Sequence, residues 1–348
     1  MNNLIKYLAV VLLCLVVGCG TKNSVPQKFK LQGEALGTTY GISYIATSES
    51  LDRAVVDSLI FVVNQSMSTY WPDSDISKIN KGDKSVSVEF MFQEVFLLSK
   101  DIYEASGGYF DPTVGTLVNA WGFGPGTAIK MSPTAVDSLM SYVGYNKVRL
   151  NGSFIEKEKS EIYFDFNAIA KGYAIDRIGV VLDQLGIENY LIELGGELLA
   201  KGMNVAIDTS AVVSQKKWLV GIDHPQNEDR NKPITLVQLQ DGALASSGNY
   251  RKFREDPLTG EKYVHTINPL SGYTENSSTL AASVLAPTCA IADGYATAFM
   301  AMGYEKAIKL VERNTTLEAF FIYIDPATGV LTQYMSPGFK EVVFEQKE

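Results

Sequence analysis

"TLAASVLAPTCAIADGYATAFMAMG" (Thr279–Gly303) reads as a strand-like run to Pro287, followed by an apolar helix from Cys289 to Gly303. Further strand-like pieces precede it: "NYLIELGG" (189–196), "KWLVGIDHP" (217–225), "ITLVQLQ" (234–240) and "GALASSG" (242–248). After it come a helix, "YEKAIKLVERN" (304–314), and a hairpin, "AFFIYIDPATGVLTQYM" (319–335), turning at Asp325–Gly329. In the N-terminal half, "GTTYGISYIA" (37–46) alternates like a strand. Helical spacing of apolar residues covers about 50–66, about 88–106 ending on Gly107-Gly108, and about 168–185. Ser132-Pro133 opens one more helix, to about Val143. Helices and strands come in blocks rather than alternating, so the fold class is α+β.

The apolar helix carries two polar residues, Asp293 and Thr297, four apart and therefore on one face. A carboxylate in apolar surroundings is costly unless it is paired or bound to a metal. Two hard oxygens with no His or Cys beside them suit Mg2+ or Ca2+. A buried Arg or main-chain amides would satisfy Asp293 equally well.

The chain has 348 residues, 46% of them apolar, enough for a large core. Its net charge of −9 and the lack of a basic stripe argue against nucleic-acid binding. At the N-terminus, "MNNLIKYLAVVLLCLVVGCG" has Lys6, then an apolar run from Tyr7 to Val17. That run is shorter than the roughly 20 residues that span a bilayer, as in a signal peptide. Val16-Val17-Gly18-Cys19 resembles a bacterial lipobox, with Cys19 as the lipidated residue and "TKNSVPQK" after it as a polar tether. The expected organisation is a signal peptide (1–18), lipidated Cys19 and tether (19–30), and one domain (31–348). Of the three cysteines, Cys14 leaves with the signal and Cys19 carries lipid, so Cys289 is the free thiol.

Four further clusters hold groups able to do chemistry. In "GGYFDPTVGTLVNAWGFGPG" (107–126), Phe110, Trp121 and Phe123 lie among glycine-rich turns. Aromatic faces beside free amides suit a flat heteroaromatic ligand, and equally a loop that packs its own aromatics. "YFDFNAIAKGYAID" (163–176) sets Asp165 before a helix whose first turns hold Ala168 and Lys171. There Lys171 can pair with a phosphate, or it is a solvated side chain and Asp165 a cap; Gly172 after it favours close ligand approach. "ELGGELLAKG" (193–202) and "GALASSGNYRKF" (242–253) offer glycine turns with Ser246, Ser247 and Gly248, either a phosphate cradle or ordinary turns. "YVHTINPLSGYT" (263–274) contains His265, a candidate base; His224 in "GIDHP" reads as structural. Rossmann, Walker and G-x-S-x-G patterns are missing from the sequence.

Together these stretches resemble the ApbE family of FAD:protein FMN transferases. Nine motifs run collinearly: "GTTY" (37–40), "MSTYWPDSDISKIN" (67–80), "GGYFDPTVGTLVNAWGFG" (107–124), "DFNAIAKGYAID" (165–176), "IELGGELLAKG" (192–202), "GIDHP" (221–225), "ALASSGNYRK" (243–252), "HTINPLSG" (265–272) and "ADGYATAFMAMG" (292–303). The resemblance implies a single α+β domain of T-fold-like architecture with an FAD-binding groove. It implies Mg2+ held by Asp293, Thr297 and the main chain of Ala168 and Ala296. It matches Leu36, Tyr70, Tyr109, Phe110, Asp111, Asp165, Lys171 and Ile267 to FAD-contacting positions, with FAD as the substrate. The reaction implied moves FMN from FAD onto a Thr or Ser hydroxyl of a partner, releasing AMP. Asp293, Lys171 and His265 would carry that chemistry, His265 as the base. Partners implied are subunits of Rnf-type or sodium-pumping NADH:quinone oxidoreductases, or other FMN-binding-domain proteins. The enzyme would be lipid-anchored on the periplasmic face of the cell inner membrane. The family's "His-x-Ile-Asp-Pro" pattern has Asn268 here in place of the acidic residue. Two other activities are compatible with the same residues: a Mg2+-dependent FAD pyrophosphatase and a flavin-binding lipoprotein without turnover.

Overall fold

The structure is a computed structural model describing residues 25–208, 211–225, 232–249, 253–255, 262–274 and 277–345. The expected signal peptide (1–18) and the expected lipidation site Cys19 lie outside the described residues. The first hairpin pairs β1 (Gln27–Ala35) with β2 (Thr38–Ala46) through the two-residue turn Leu36-Gly37. The first strand therefore starts inside the stretch expected to be tether. The strand reads as tether because "QKFKLQGEA" alternates: Phe29 and Leu31 turn inward, while Lys28, Lys30 and Gln32 are exposed along the sheet's edge.

Helices follow as a block: α1 (Arg53–Met67), α2 (Asp75–Asn80), α3 (Phe90–Ser106), α4 (Gly115–Trp121) and α5 (Pro133–Met140). Local chemistry sets their ends. Asp52 accepts the Ala54 amide at the start of α1, and Ser132 accepts the Ala135 amide at the start of α5. Gly107, left-handed at φ 65°, stops α3. A small hairpin of β3 (Val148–Asn151) and β4 (Phe154–Lys157) leads to α6 (Ala170–Gln184). Ala168 thus precedes the helix rather than lying in its first turn.

The strand block runs β5 (Tyr190–Leu194), β6 (Glu197–Lys201), β7 (Asn204–Asp208), β8 (Ala211–Lys216), β9 (Trp218–Ile222), β10 (Thr235–Leu239), β11 (Gly242–Gly248), β12 (Phe253–Glu255), β13 (Lys262–Val264) and β14 (Thr279–Ala286). The quoted apolar helix is α7 (Cys289–Met302), followed by α8 (Tyr304–Val311). The C-terminal hairpin of β15 (Glu318–Ile324) and β16 (Leu331–Met335) ends in α9 (Pro337–Val342).

Eight strands form one sheet in the order β1-β2-β5-β6-β11-β14-β15-β16, every neighbouring pair antiparallel. Its central strands are buried on both faces, which explains their near-continuous apolar runs. Ala319 and Phe321 of β15 enter the core under the helices, while Phe320 and Ile322 enter a second core capped by β9, β10 and Phe339 of α9. β11 divides the same way, Ala243 and Ala245 against Leu244. Helix α7 lies against β11, β14 and α6 and is buried almost all round, as its apolar sequence requires.

Candidate functional site

Helices α6 and α7 meet at unusually short range. A β-carbon on Gly172 would fall 2.4 Å from the Cys289 carbonyl oxygen and 2.8 Å from the Ala290 Cα. Glycine is required there by the close approach of the α7 main chain. One turn later on α6, Asp176 accepts the Cys289 and Ala290 amides at 2.7 and 2.8 Å, capping α7 together with the Thr288 hydroxyl. Burial pushes the Asp176 carboxyl up to about 6 against these two bonds.

This contact aims Asp293. Its Oδ2 accepts the Gly172 amide at 3.2 Å, and burial raises its pKa, offset in part by the Lys171 charge and that amide. The partner is thus a main-chain amide, one of the alternatives open from sequence, with a lysine close by. Thr297, half-buried one turn along, has its hydroxyl 3.5 Å from that of Ser247 on β11. Asp293 and Thr297 thus share a face of α7, as the four-residue spacing predicts, and Thr297 meets Ser247 of β11.

Lys171 Nζ lies 2.5 Å from Glu197 Oε1, whose side chain is 5% exposed. Burial opposes the lysine's charge, but Asp293 and Glu197 outweigh it and hold its pKa above the ordinary value. Burial and the Asp293 charge push the Glu197 carboxyl up to about 7, with Lys171 opposing. Among the described residues, Glu197 Oε2 has no hydrogen-bond partner.

The raised carboxyls have a consequence for stability. The folded protein holds protons on Glu197 and Asp176 more tightly than the unfolded chain does. Their stabilisation is therefore complete below about pH 4 and is lost as pH rises through about 6 to 7. In EDTA without flavin, thermal melts should show the melting temperature falling from about pH 5 to about pH 8. Glu197→Gln should flatten that slope.

The remaining candidates gather unevenly. Leu36 has the positive φ of 50° in the β1–β2 turn, the sole non-glycine residue so placed among the described residues. Its turn adjoins Gly195-Gly196, since a β-carbon on Gly195 would lie 2.8 Å from the Thr38 Cγ2. Leu36 and Glu197 thus share one end of the sheet. Tyr70 is 61% exposed, and partial burial of its hydroxyl, with the charge of Asp165, raises its pKa. Asp165 accepts the Asn167 amide at 2.8 Å in the turn before α6. His265 follows β13 directly, and the neighbouring Thr266 hydroxyl donates to Asn249 at the end of β11 at 2.7 Å. That bond draws the His265 stretch toward the strand that carries Ser247.

Other side chains are spent inside the protein. Phe110 is core, and Asp111 accepts the Thr113 amide and hydroxyl and the Tyr145 amide. Ile267 packs with Leu117, Trp121 and Val136. From these positions only main-chain groups remain for a ligand, whereas Tyr109 is half-buried with Lys306 Nζ on its hydroxyl at 2.5 Å. Trp121 is buried, its indole nitrogen donating to the Gly272 carbonyl at 2.9 Å, so the glycine-rich loop does pack its own aromatics. One surface cleft, lined by Lys306, Lys309, Leu310 and Arg313, meets this region only through Lys306.

Glu197 and Asp176 were not picked out from sequence. Glu197 could have been: an acidic residue directly after Gly195-Gly196 begins a strand whose neighbours are apolar. Asp176 reads as an ordinary helix residue until α7 is placed against it.

The donor set suits a small hard cation. Among the described residues no group of three or more His, Cys, Asp or Glu side chains has metal-holding geometry. A site on Asp293 and the Thr297 hydroxyl is therefore sparse, the kind Mg2+ completes with phosphate oxygens and water.

A sequence model of the ApbE family matches residues 36–321. The chain is 30% identical over 356 residues to an "FAD:protein FMN transferase" of Haemophilus influenzae, covering 98% of each. To one of Vibrio cholerae it is 32% identical over 342 residues, covering 95% of this chain and 97% of that one. A solved structure of "Flavin Transferase ApbE from Vibrio cholerae" superposes with a TM-score of 0.77 at 30% identity, over 91% of this chain and 99% of that one. The apo flavinyl transferase ApbE of Pseudomonas stutzeri gives 0.77 at 27%, over 92% and 98%.

Proposed function

The chain belongs to the ApbE family, and on that premise we propose how its residues carry out the transfer of FMN from FAD to a protein. It is an FAD:protein FMN transferase, acting on FAD and a protein acceptor. The acceptor hydroxyl oxygen forms a bond to the FMN phosphorus, the phosphoanhydride bond to AMP breaks, and AMP leaves with the electron pair. The observation that carries the assignment of this site is the convergence of Asp293, Thr297 and Lys171 where α6 meets α7.

Asp293 and Thr297, with the main-chain carbonyls of Ala168 and Ala296, would hold Mg2+. When bound there, it would supply positive charge that offsets charge developing on the phosphates. Lys171 adds a second positive charge that a phosphate can share with Glu197. Asp176 and Gly172 act through geometry, fixing α7 so that Asp293 is aimed before substrate arrives. His265, held beside the end of β11, takes the proton from the acceptor hydroxyl. Leu36, Tyr70, Tyr109, Asp165 and the main chain at Phe110, Asp111 and Ile267 contribute the contacts to FAD. The acceptors are flavin-carrying subunits of Rnf-type or sodium-pumping NADH:quinone oxidoreductases, or other FMN-binding-domain proteins.

AMP release separates transfer from hydrolysis. With an Rnf-type acceptor subunit present, AMP and flavinylated acceptor should appear in equal amounts, and AMP release should nearly stop when the acceptor is left out. Steady AMP release without acceptor would mark an FAD pyrophosphatase instead.

The enzyme works from the periplasmic face of the inner membrane, tethered by lipid on Cys19. The lipobox-like Val16–Cys19 sequence supports this reading. No helix of the described residues is long and apolar enough to cross a membrane. Cys19→Ser should abolish incorporation of labelled palmitate and move the protein from membrane to soluble fractions. Retention in the membrane after that change would contradict the anchor.

A further inference from the structure

Glu197 lies in none of the positions that the family resemblance assigns, yet it is the closest partner of Lys171. Its carboxylate is fixed from both sides. The Gly195-Gly196 turn, with φ of 65° and 108°, sets it at the start of β6, and Lys171 Nζ sits 2.5 Å from Oε1. Oε2 is buried near Gly195 and Thr38 without a hydrogen-bond partner among the described residues. Lys171 is ion-paired with Glu197 and directly precedes Gly172, whose amide binds Asp293, so its charge acts on two carboxylates that are both almost fully buried.

That arrangement poses a problem for a cation site. A lysine is a flexible stem ending in a compact charge, and a buried carboxylate without a metal draws such a charge strongly. Were Lys171 to close on Asp293, its ammonium would neutralise the oxygens that the cation needs. The ion pair with Glu197 offers Lys171 another place.

We infer that Glu197 is a positioning residue of the transfer site, pairing with Lys171 so that the ammonium stays off Asp293 and the carboxylate remains open to the cation. This rests on the reading of Asp293 as a cation ligand. It assigns Glu197 no contact with substrate and no bond to the metal. Its effect runs through Lys171, and that makes it separable from simple loss of negative charge.

The test is a double-mutant cycle on metal binding by the full-length protein in detergent, without flavin, with Mn2+ as probe and free Mn2+ read by electron paramagnetic resonance. Glu197→Gln should weaken Mn2+ binding by about tenfold or more, because Lys171 then turns to Asp293. Lys171→Gln should bind Mn2+ at least as tightly as wild type. The Glu197→Gln, Lys171→Gln double variant should recover to within about threefold of wild type. If Glu197→Gln does not fold, as judged by circular dichroism, Glu197→Asp in the same cycle serves: it keeps the charge, shortens the reach and should also be rescued. Unchanged binding in the single variant, or a double variant as weak as the single one, overturns the inference. A wild type that binds no Mn2+, or an Asp293→Ala variant that binds it like wild type, overturns instead the cation-site reading beneath it.

Discussion

Asp293→Ala should lower the rate of FMN transfer by about 10²- to 10³-fold while leaving the metal-free protein at least as stable as wild type. The two halves of that expectation come from one observation. Asp293 is 4% exposed and its pKa is raised by burial, so its charge is held in the protein at a cost. Removing it relieves that cost and the repulsion with Glu197, at the expense of the hydrogen bond from Gly172 and the attraction of Lys171, which keeps its ion pair with Glu197. Transfer depends on neutralising phosphate charge, and loss of one such electrostatic group corresponds to about 3–4 kcal/mol of barrier. Under the proposed cation site, Mg2+ should raise the melting temperature and the transfer rate of the wild type and neither in the variant. An Asp293→Ala variant that keeps more than about a tenth of the wild-type rate would remove the residue from the chemistry.

Gly172→Ala should be the most destabilising single methyl in the site. The added carbon would sit 2.4 Å from one main-chain atom and 2.6 Å from the next, both in Cys289. Neither can swing aside as a side chain would. Relief requires α6 and α7 to part, which breaks the bonds that Asp176 makes to Cys289 and Ala290 and takes the Gly172 amide away from Asp293. A loss of about 3 kcal/mol or more in unfolding free energy, read by urea titration, is expected. What separates this from ordinary overpacking is the accompanying loss of Mg2+ response. A variant of wild-type stability would mean the helices do not approach as closely as described.

Local pattern carried much of the architecture. The apolar run of α7, the caps at Ser132 and Asp52, and the hairpin turn before β16 are written in neighbouring residues, and they fold as that spacing requires. The shared face of Asp293 and Thr297 was legible for the same reason. Strand β1 was not, because an edge strand with lysines on its outer side has the composition of a tether. Nor could the partners of the site be read locally. Lys171 meets Glu197 across 26 residues of chain, and Asp176 caps a helix 113 residues further on. Gly172 shows the limit most clearly: nothing near it in sequence tells of the α7 main chain that packs against it.

Under the proposed function, the Asp293 helix organises a cation-dependent transfer of FMN to protein. Intact-mass measurement of an Rnf-type acceptor subunit, after incubation with this enzyme and FAD, tests it most directly in paired reactions with Mg2+ and with EDTA. The expected result is a gain of one phosphoester-linked FMN on a Thr or Ser in the Mg2+ reaction alone, abolished by Asp293→Ala. Equal gain in EDTA, or FAD consumed to FMN and AMP with the acceptor mass unchanged, would contradict it.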